Sequence, residues 1–193
     1  MNPVFLSASV PYIKKGVPGN ETHVRTADPL AIRDAVIALL EVVLPRAELY
    51  FGGHPAITPM VRRVAQTRSL LHRVKNYQSA WFLERFPDDN EHFEHLIVIP
   101  ARETLDESLR VMRAQMLGNR KFSAAFFIGG MQGIKDEYEL FRKLHGPGPP
   151  CFPVASTGGA ALELLEFAPI QHRSDLLGDT NYVPLFRRLL GIQ

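Results

Sequence analysis

The chain has 193 residues, of which 46% are hydrophobic and 22% charged, with a formal net charge of +2. That length suits one domain with a substantial core, the composition excludes a largely disordered chain, and the near balance of charge excludes the concentrated basic footprint of a dedicated nucleic-acid binder. No apolar run approaches the roughly 20 residues a membrane-spanning helix needs, Met1 to Ser7 lack the pattern of a secretory signal, and the lone Cys151 allows no internal disulfide. The expectation is a single cytoplasmic domain over residues 1–193 with no membrane association.

Val4 to Val10 is a short β-prone run that stops at Pro11 and predicts the first strand. Lys14 to Ala27, with Gly16, Pro18, Gly19 and Asn20 among basic residues, predicts a polar loop. Asp28 before Pro29 is a strong helix start, and Ile32, Val36, Leu39, Leu40 and Val43 recur at helical spacing up to Pro45. Glu48 to Phe51 predicts a strand that runs into Gly52-Gly53-His54-Pro55, and Thr58-Pro59 restarts a helix by the same capping logic.

Leu71 to Tyr77 predicts a third strand, with a helix over Leu71 to Phe82 as the open alternative, and Leu96 to Ile99 predicts a fourth. Phe86 to Asn90 between them predicts a loop. Thr104 with Glu107 forms a capping-box pattern, and Leu105, Leu109, Met112 and Met116 give the following helix an apolar face up to Gly118. Phe122 to Ile128 predicts a strand, Gly129-Gly130-Met131-Gln132-Gly133 a turn, and Ile134 to Leu144 a helix. Gly146 to Pro150 is a stiff connector to a last strand, Cys151 to Ala155, which enters Ser156-Thr157-Gly158-Gly159 and a helix over Ala160 to Leu165. The repeated order of strand, turn and helix predicts an α/β, Rossmann-like doubly wound fold: a mainly parallel sheet of about six strands covered by helices on both faces.

In such a sheet ligands bind beyond the carboxyl ends of the strands, where all three small-residue turns fall. Glycine tolerates positive φ there and lets a phosphate approach backbone N–H groups. None of the turns is a Walker loop or a GxGxxG fingerprint, so neither ATP nor NAD in its familiar mode is expected, and no cofactor is assigned. The spacing His92-x-x-His95 lacks a partner cluster of metal ligands, so no metal is expected either. His54 at a glycine turn suits either ligand contact or capping. The basic stretch from Arg62 to Lys75 is read as a solvated face, Trp81 and Phe82 as core or a base-stacking surface, and Cys151 as a buried filler. Val183 to Leu190 has an apolar face that packs on its own domain or on a second subunit.

Phe5-Leu6-Ser7-Ala8-Ser9, Phe51-Gly52-Gly53-His54-Pro55, Tyr77-Gln78-Ser79, Phe127-Ile128-Gly129-Gly130-Met131-Gln132-Gly133 and Pro153 to Ala160 occur in an order that resembles the SLOG superfamily. That superfamily joins LOG-type phosphoribohydrolases, DprA-like proteins and nucleotide-sensing modules, and the match is best to a bacterial branch called cluster three. The resemblance implies a nucleotide-derived ligand held by Ser7, Ser9, Gly52, Gly53, His54, Gln78, Ser79, Gly129, Gly130, Met131, Gly133, Ser156, Thr157, Gly158 and Gly159. It also implies a homo-oligomer or an effector partner. Glu137 falls where LOG-type enzymes carry a catalytic glutamate that assists cleavage of an N-glycosidic bond. One extra residue between the glycines and Ile134 in place of the phosphate-binding threonine depart from that pattern. The expectation is therefore binding or sensing of a nucleotide-like small molecule. Hydrolase or transferase chemistry is the alternative, and single-stranded DNA binding comes third.

Overall fold

The computed structural model describes residues 1–13, 21–118 and 120–192. In chain order its strands and helices are β1 (Val4–Ser9), α1 (Glu21–Thr26), α2 (Pro29–Val43), β2 (Leu49–Gly52), α3 (Thr58–Thr67), β3 (Val74–Ser79), β4 (Leu96–Ile99), α4 (Leu105–Leu117), β5 (Ala124–Gly129), α5 (Gln132–His145), β6 (Cys151–Val154), α6 (Ala160–Glu163), α7 (Arg173–Gly178) and α8 (Tyr182–Leu189). The six strands form one sheet in the order β4-β3-β2-β1-β5-β6, and every pairing is parallel. This is the expected doubly wound α/β architecture. No helix among the described residues is long and apolar enough to cross a membrane.

Alternation along the strands sends side chains to two separate cores. On one face Leu6, Phe51 and Phe126 pack with Ile32, Val36 and Leu39 of α2, Val61 of α3 and Leu185 and Phe186 of α8. On the other, Phe5 and Phe127 pack with Met112 and Met116 of α4, Ile134 and Phe141 of α5 and Ala160 of α6. The apolar face of α8 is thus spent on its own domain. Buried Cys151 joins the second core, and desolvation pushes its thiol up to about 11, which keeps it an unreactive filler.

Several elements differ from the sequence expectation for identifiable reasons. Of the loop expected over Lys14 to Ala27, Lys14 to Asn20 lie outside the described residues, while Glu21–Thr26 is a helix. That helix is held by tertiary partners: His23 is buried against Glu163 at 2.9 Å, and Thr26 Oγ1 accepts the Gly159 N–H. The third strand begins at Val74, not Leu71, because Leu71–Arg73 makes a 3-10 turn and Arg73 Nη1 reaches the Leu44 carbonyl. Asp28 and Thr104 cap α2 and α4 as expected. Thr58, however, is not the cap of α3: Ile57 occupies that position, and the Thr58 hydroxyl accepts the His54 N–H. Asp136 and Glu137 lie beyond the first turn of α5, so the helix dipole does not account for these two acids.

Candidate functional site

The chain winds from β1 out to β4 on one side and returns through β5 to β6 on the other, so the strand order reverses between β1 and β5. At that switch point the connections leaving neighbouring strands part to opposite faces and open a crevice beyond the carboxyl ends. A cavity of about 610 Å³ opens there, within the usual range for a small-molecule site. Its wall takes residues from the ends of β1, β2 and β3, from α4 and α5, and from the strap Phe82 to Pro87 that follows β3.

One wall is charged. Glu137 on α5 accepts a hydrogen bond from Ser7 Oγ at 2.5 Å and another from Arg113 Nε at 3.2 Å. Arg113 also donates to Asp136 at 3.1 Å and to the Gly133 carbonyl at 3.4 Å. The Arg113 and Glu137 side chains are only 14% and 13% exposed. Burial pushes the Glu137 carboxyl above the ordinary glutamate value, and the Arg113 charge and Ser7 hydrogen bond offset part of that rise. The first turn of α5, with Gly133 on the wall and Met131 as a cap that offers no side-chain acceptor, leaves backbone donors at the same end.

The opposite wall is neutral and polar. His54 Nδ1 accepts the Ala56 N–H, which leaves Nε2 as the donor of the neutral ring, and burial lowers the imidazole's pKa, favouring that neutral form. Gln78 at the end of β3 is 5% exposed and donates through Nε2 to Asn76 Oδ1, and Asn76 in turn donates to Asn90 Oδ1 at 2.9 Å. Asn90 Nδ2 is buried without a partner among the described residues. Between the two walls run Gly52-Gly53 and the side chains of Phe82, Phe86, Leu109 and Met112.

Of the residues expected at a site, Ser7, Ser9, Gly52, Gly53, His54, Gln78, Ser79, Gly133 and Glu137 line this cavity. Gly129, Gly130, Met131, Ser156, Thr157, Gly158 and Gly159 are not among its lining residues. Those two turns lock onto one another. Thr157 Oγ1 accepts the Gly129 N–H and donates to the Val154 carbonyl, Gly130 N–H donates to Ser9, and Ala160 N–H donates to Gly130. A Cβ on Gly159 would sit 2.7 Å from the Gly130 carbonyl oxygen, and one on Gly158 would sit 1.9 Å from that of Thr26; both residues have positive φ. Gly158 and Gly159 are explained by close backbone approach, and Gly130 by the Ile134 side chain, which would stand 2.0 Å from a Cβ there.

Arg113 was not a sequence candidate. The available signal is its place four residues after Leu109, beside the apolar stripe of α4. Phe86 and Pro87 also line the cavity from a segment expected only as a loop, and Arg85 lines it from just before that segment. Phe82 lines the cavity while Trp81 is 43% exposed, so the core reading fails for the tryptophan. The basic stretch is largely paired: Arg62 with Asp89, Arg68 with Glu41 and Lys75 with Glu48.

A family model described as the SLOG cluster3 family matches residues 22–190, and the chain belongs to that family. No curated protein matches the sequence.

Proposed function

We propose that this SLOG cluster3 protein binds a nucleotide-derived ligand in the switch-point cavity and holds it without turning it over. The observation that carries this reading is the two-sided wall of one cavity. Ser7, Glu137 and Arg113 face it on one side, and His54 and Gln78 on the other, with Gly53 between. A sugar hydroxyl suits the carboxylate and serine, an anionic group suits Arg113, Arg85 and the uncapped first turn of α5, and a base suits the apolar strip under Phe82 and Phe86. Backbone N–H groups and an arginine fork recognise phosphate by the same hydrogen-bond geometry in unrelated proteins.

Holding is favoured over cutting because both oxygens of Glu137 already accept hydrogen bonds, from Ser7 and from Arg113. Ile134, where a phosphate-binding hydroxyl would stand, is buried and packs over Gly130. The cleavage reading rests on a specific observation too, a buried carboxyl with a raised pKa on a cavity wall, which is the environment of a general acid or base. The pairing of Arg62, Arg68 and Lys75 with carboxylates supports a small molecule over single-stranded DNA.

Thermal unfolding with AMP, ADP-ribose, cyclic ADP-ribose and nucleosides tests the proposal. A rise in Tm that grows with ligand concentration, with the ligand recovered intact, is the expected result. Release of free base by the wild type and not by Glu137→Ala overturns the binding-only reading. No rise with any of these compounds overturns the nucleotide reading itself.

A further inference from the structure

The three amides of the neutral wall are set in one direction, which only a concerted turn of all three would reverse. Asn76 and Gln78 lie two residues apart on β3 and point to the same face, toward α3 and the strap. Asn76 Nδ2 donates to Asn90 Oδ1, so Asn76 presents its carbonyl oxygen to Gln78, which meets it with Nε2 at 3.4 Å. Turning Gln78 alone would set two carbonyl oxygens against each other. The Gln78 Oε1 atom has no hydrogen-bond partner among the described residues, and the residue lines the cavity. Gly53 leaves the room this requires, since a Cβ there would stand 1.7 Å from Gln78 Nε2 and 2.7 Å from Asn76 Oδ1.

We infer that Gln78 reads the edge of the ligand's base, and that its free carbonyl oxygen selects a base bearing an exocyclic amino group over its keto analogue. The inference rests on the nucleotide reading above and deepens it. An acceptor fixed in a buried wall gains a hydrogen bond from an amino group, whereas a keto oxygen brings a second acceptor and leaves both unpaired. Phe82 and Phe86 on the adjoining strap give the base a surface to stack on while its edge meets the amide. The amide chain runs on into the strap through Asn90, whose N–H donates to the Pro87 carbonyl, so the atoms that read the edge are held by the segment that supplies the stacking surface.

Calorimetric titration of the full chain with AMP and with IMP tests this, because the two differ at the amino or keto position and the adjacent ring nitrogen. Wild type binds AMP more tightly by about tenfold or more. Gln78→Met, which keeps length and removes both polar atoms, brings the ratio close to one by weakening AMP. A general packing role for Gln78 would lower both affinities together and leave the ratio unchanged. Equal binding by the wild type, tighter IMP, or a ratio unmoved in Gln78→Met overturns the inference while leaving the nucleotide reading in place. Binding of neither nucleotide, together with none of ADP-ribose, overturns the nucleotide reading and the inference with it.

Discussion

Two kinds of glycine turn follow the strands of this sheet, and they do opposite things. Gly52-Gly53, after β2, borders an open cavity of about 610 Å³. Gly129-Gly130 at the end of β5 and Gly158-Gly159 after β6 close on each other: a Cβ on Gly159 would meet the Gly130 carbonyl, one on Gly158 the Thr26 carbonyl, and one on Gly130 the Ile134 side chain. At the first turn the missing Cβ of Gly53 makes room for the Gln78 and Asn76 amides beside the cavity, and at the second the missing Cβ of Gly159 makes room for the Gly130 main chain. Similar sequence at equivalent strand ends therefore does not imply a shared role, because what approaches the glycine is decided by tertiary neighbours.

The comparison is broken most directly by giving each turn a methyl group. Gly159→Ala places a Cβ against Gly130 at a residue whose φ is +61°, and is expected to cost roughly 3 kcal/mol or more of stability, measured by denaturant unfolding. A cost under about 1 kcal/mol would mean that the two turns are not locked. Thr157→Val keeps the shape of the lock but leaves the Gly129 N–H and the Val154 carbonyl without their partner hydroxyl, and should cost about 1–3 kcal/mol. Ligand-induced stabilisation should survive in Thr157→Val, since that side chain is not on the cavity wall.

Glu137→Gln sharpens the contrast from the cavity side. A carboxyl whose folded-state pKa is raised binds its proton more tightly in the native chain, so its contribution is fully present below the ordinary glutamate value of 4.5 and is lost as pH rises through the raised value. The stability of Glu137→Gln relative to wild type should therefore increase with pH across that window. A difference that stays flat or falls would show that the Arg113 and Ser7 partners outweigh burial. Gly52→Ala is the smallest effect expected, within about 1 kcal/mol in unfolding, because its new Cβ meets Met112 Cε at an ordinary 3.5 Å and the φ of Gly52 is not positive.

The parts of the fold legible in the sequence are those set by local chemistry. Asp28-Pro29 announces α2, Thr104 announces α4, and short apolar runs ending at glycine or proline mark most of the strands. What escaped depends on distant partners. Residues Glu21–Thr26 form a helix where composition suggests a loop, with His23 set against Glu163; β3 starts three residues late because Leu71–Arg73 is drawn toward Leu44. At the site, Ser7 and Glu137 could be picked out separately, yet Arg113, the residue that ties the wall together, carries no local signal beyond its helical register. The amide series through Gln78, Asn76 and Asn90 is equally silent, since it joins residues on a strand and on a turn beyond the strap.

The place of β1 at the centre of the sheet sets an order of assembly. Its Val4 pairs with Leu49 on one edge and with Ala124 on the other, so a chain made from its amino end completes the first edge long before the residues for the second exist. Until β5 arrives, a strand that carries Val4, Phe5 and Leu6 has a row of bare N–H and C=O groups, the kind of edge on which nascent chains aggregate. The central seam between β1 and β5 thus stands open, with nothing of the chain itself yet able to fill it, while residues 53–123 are being made.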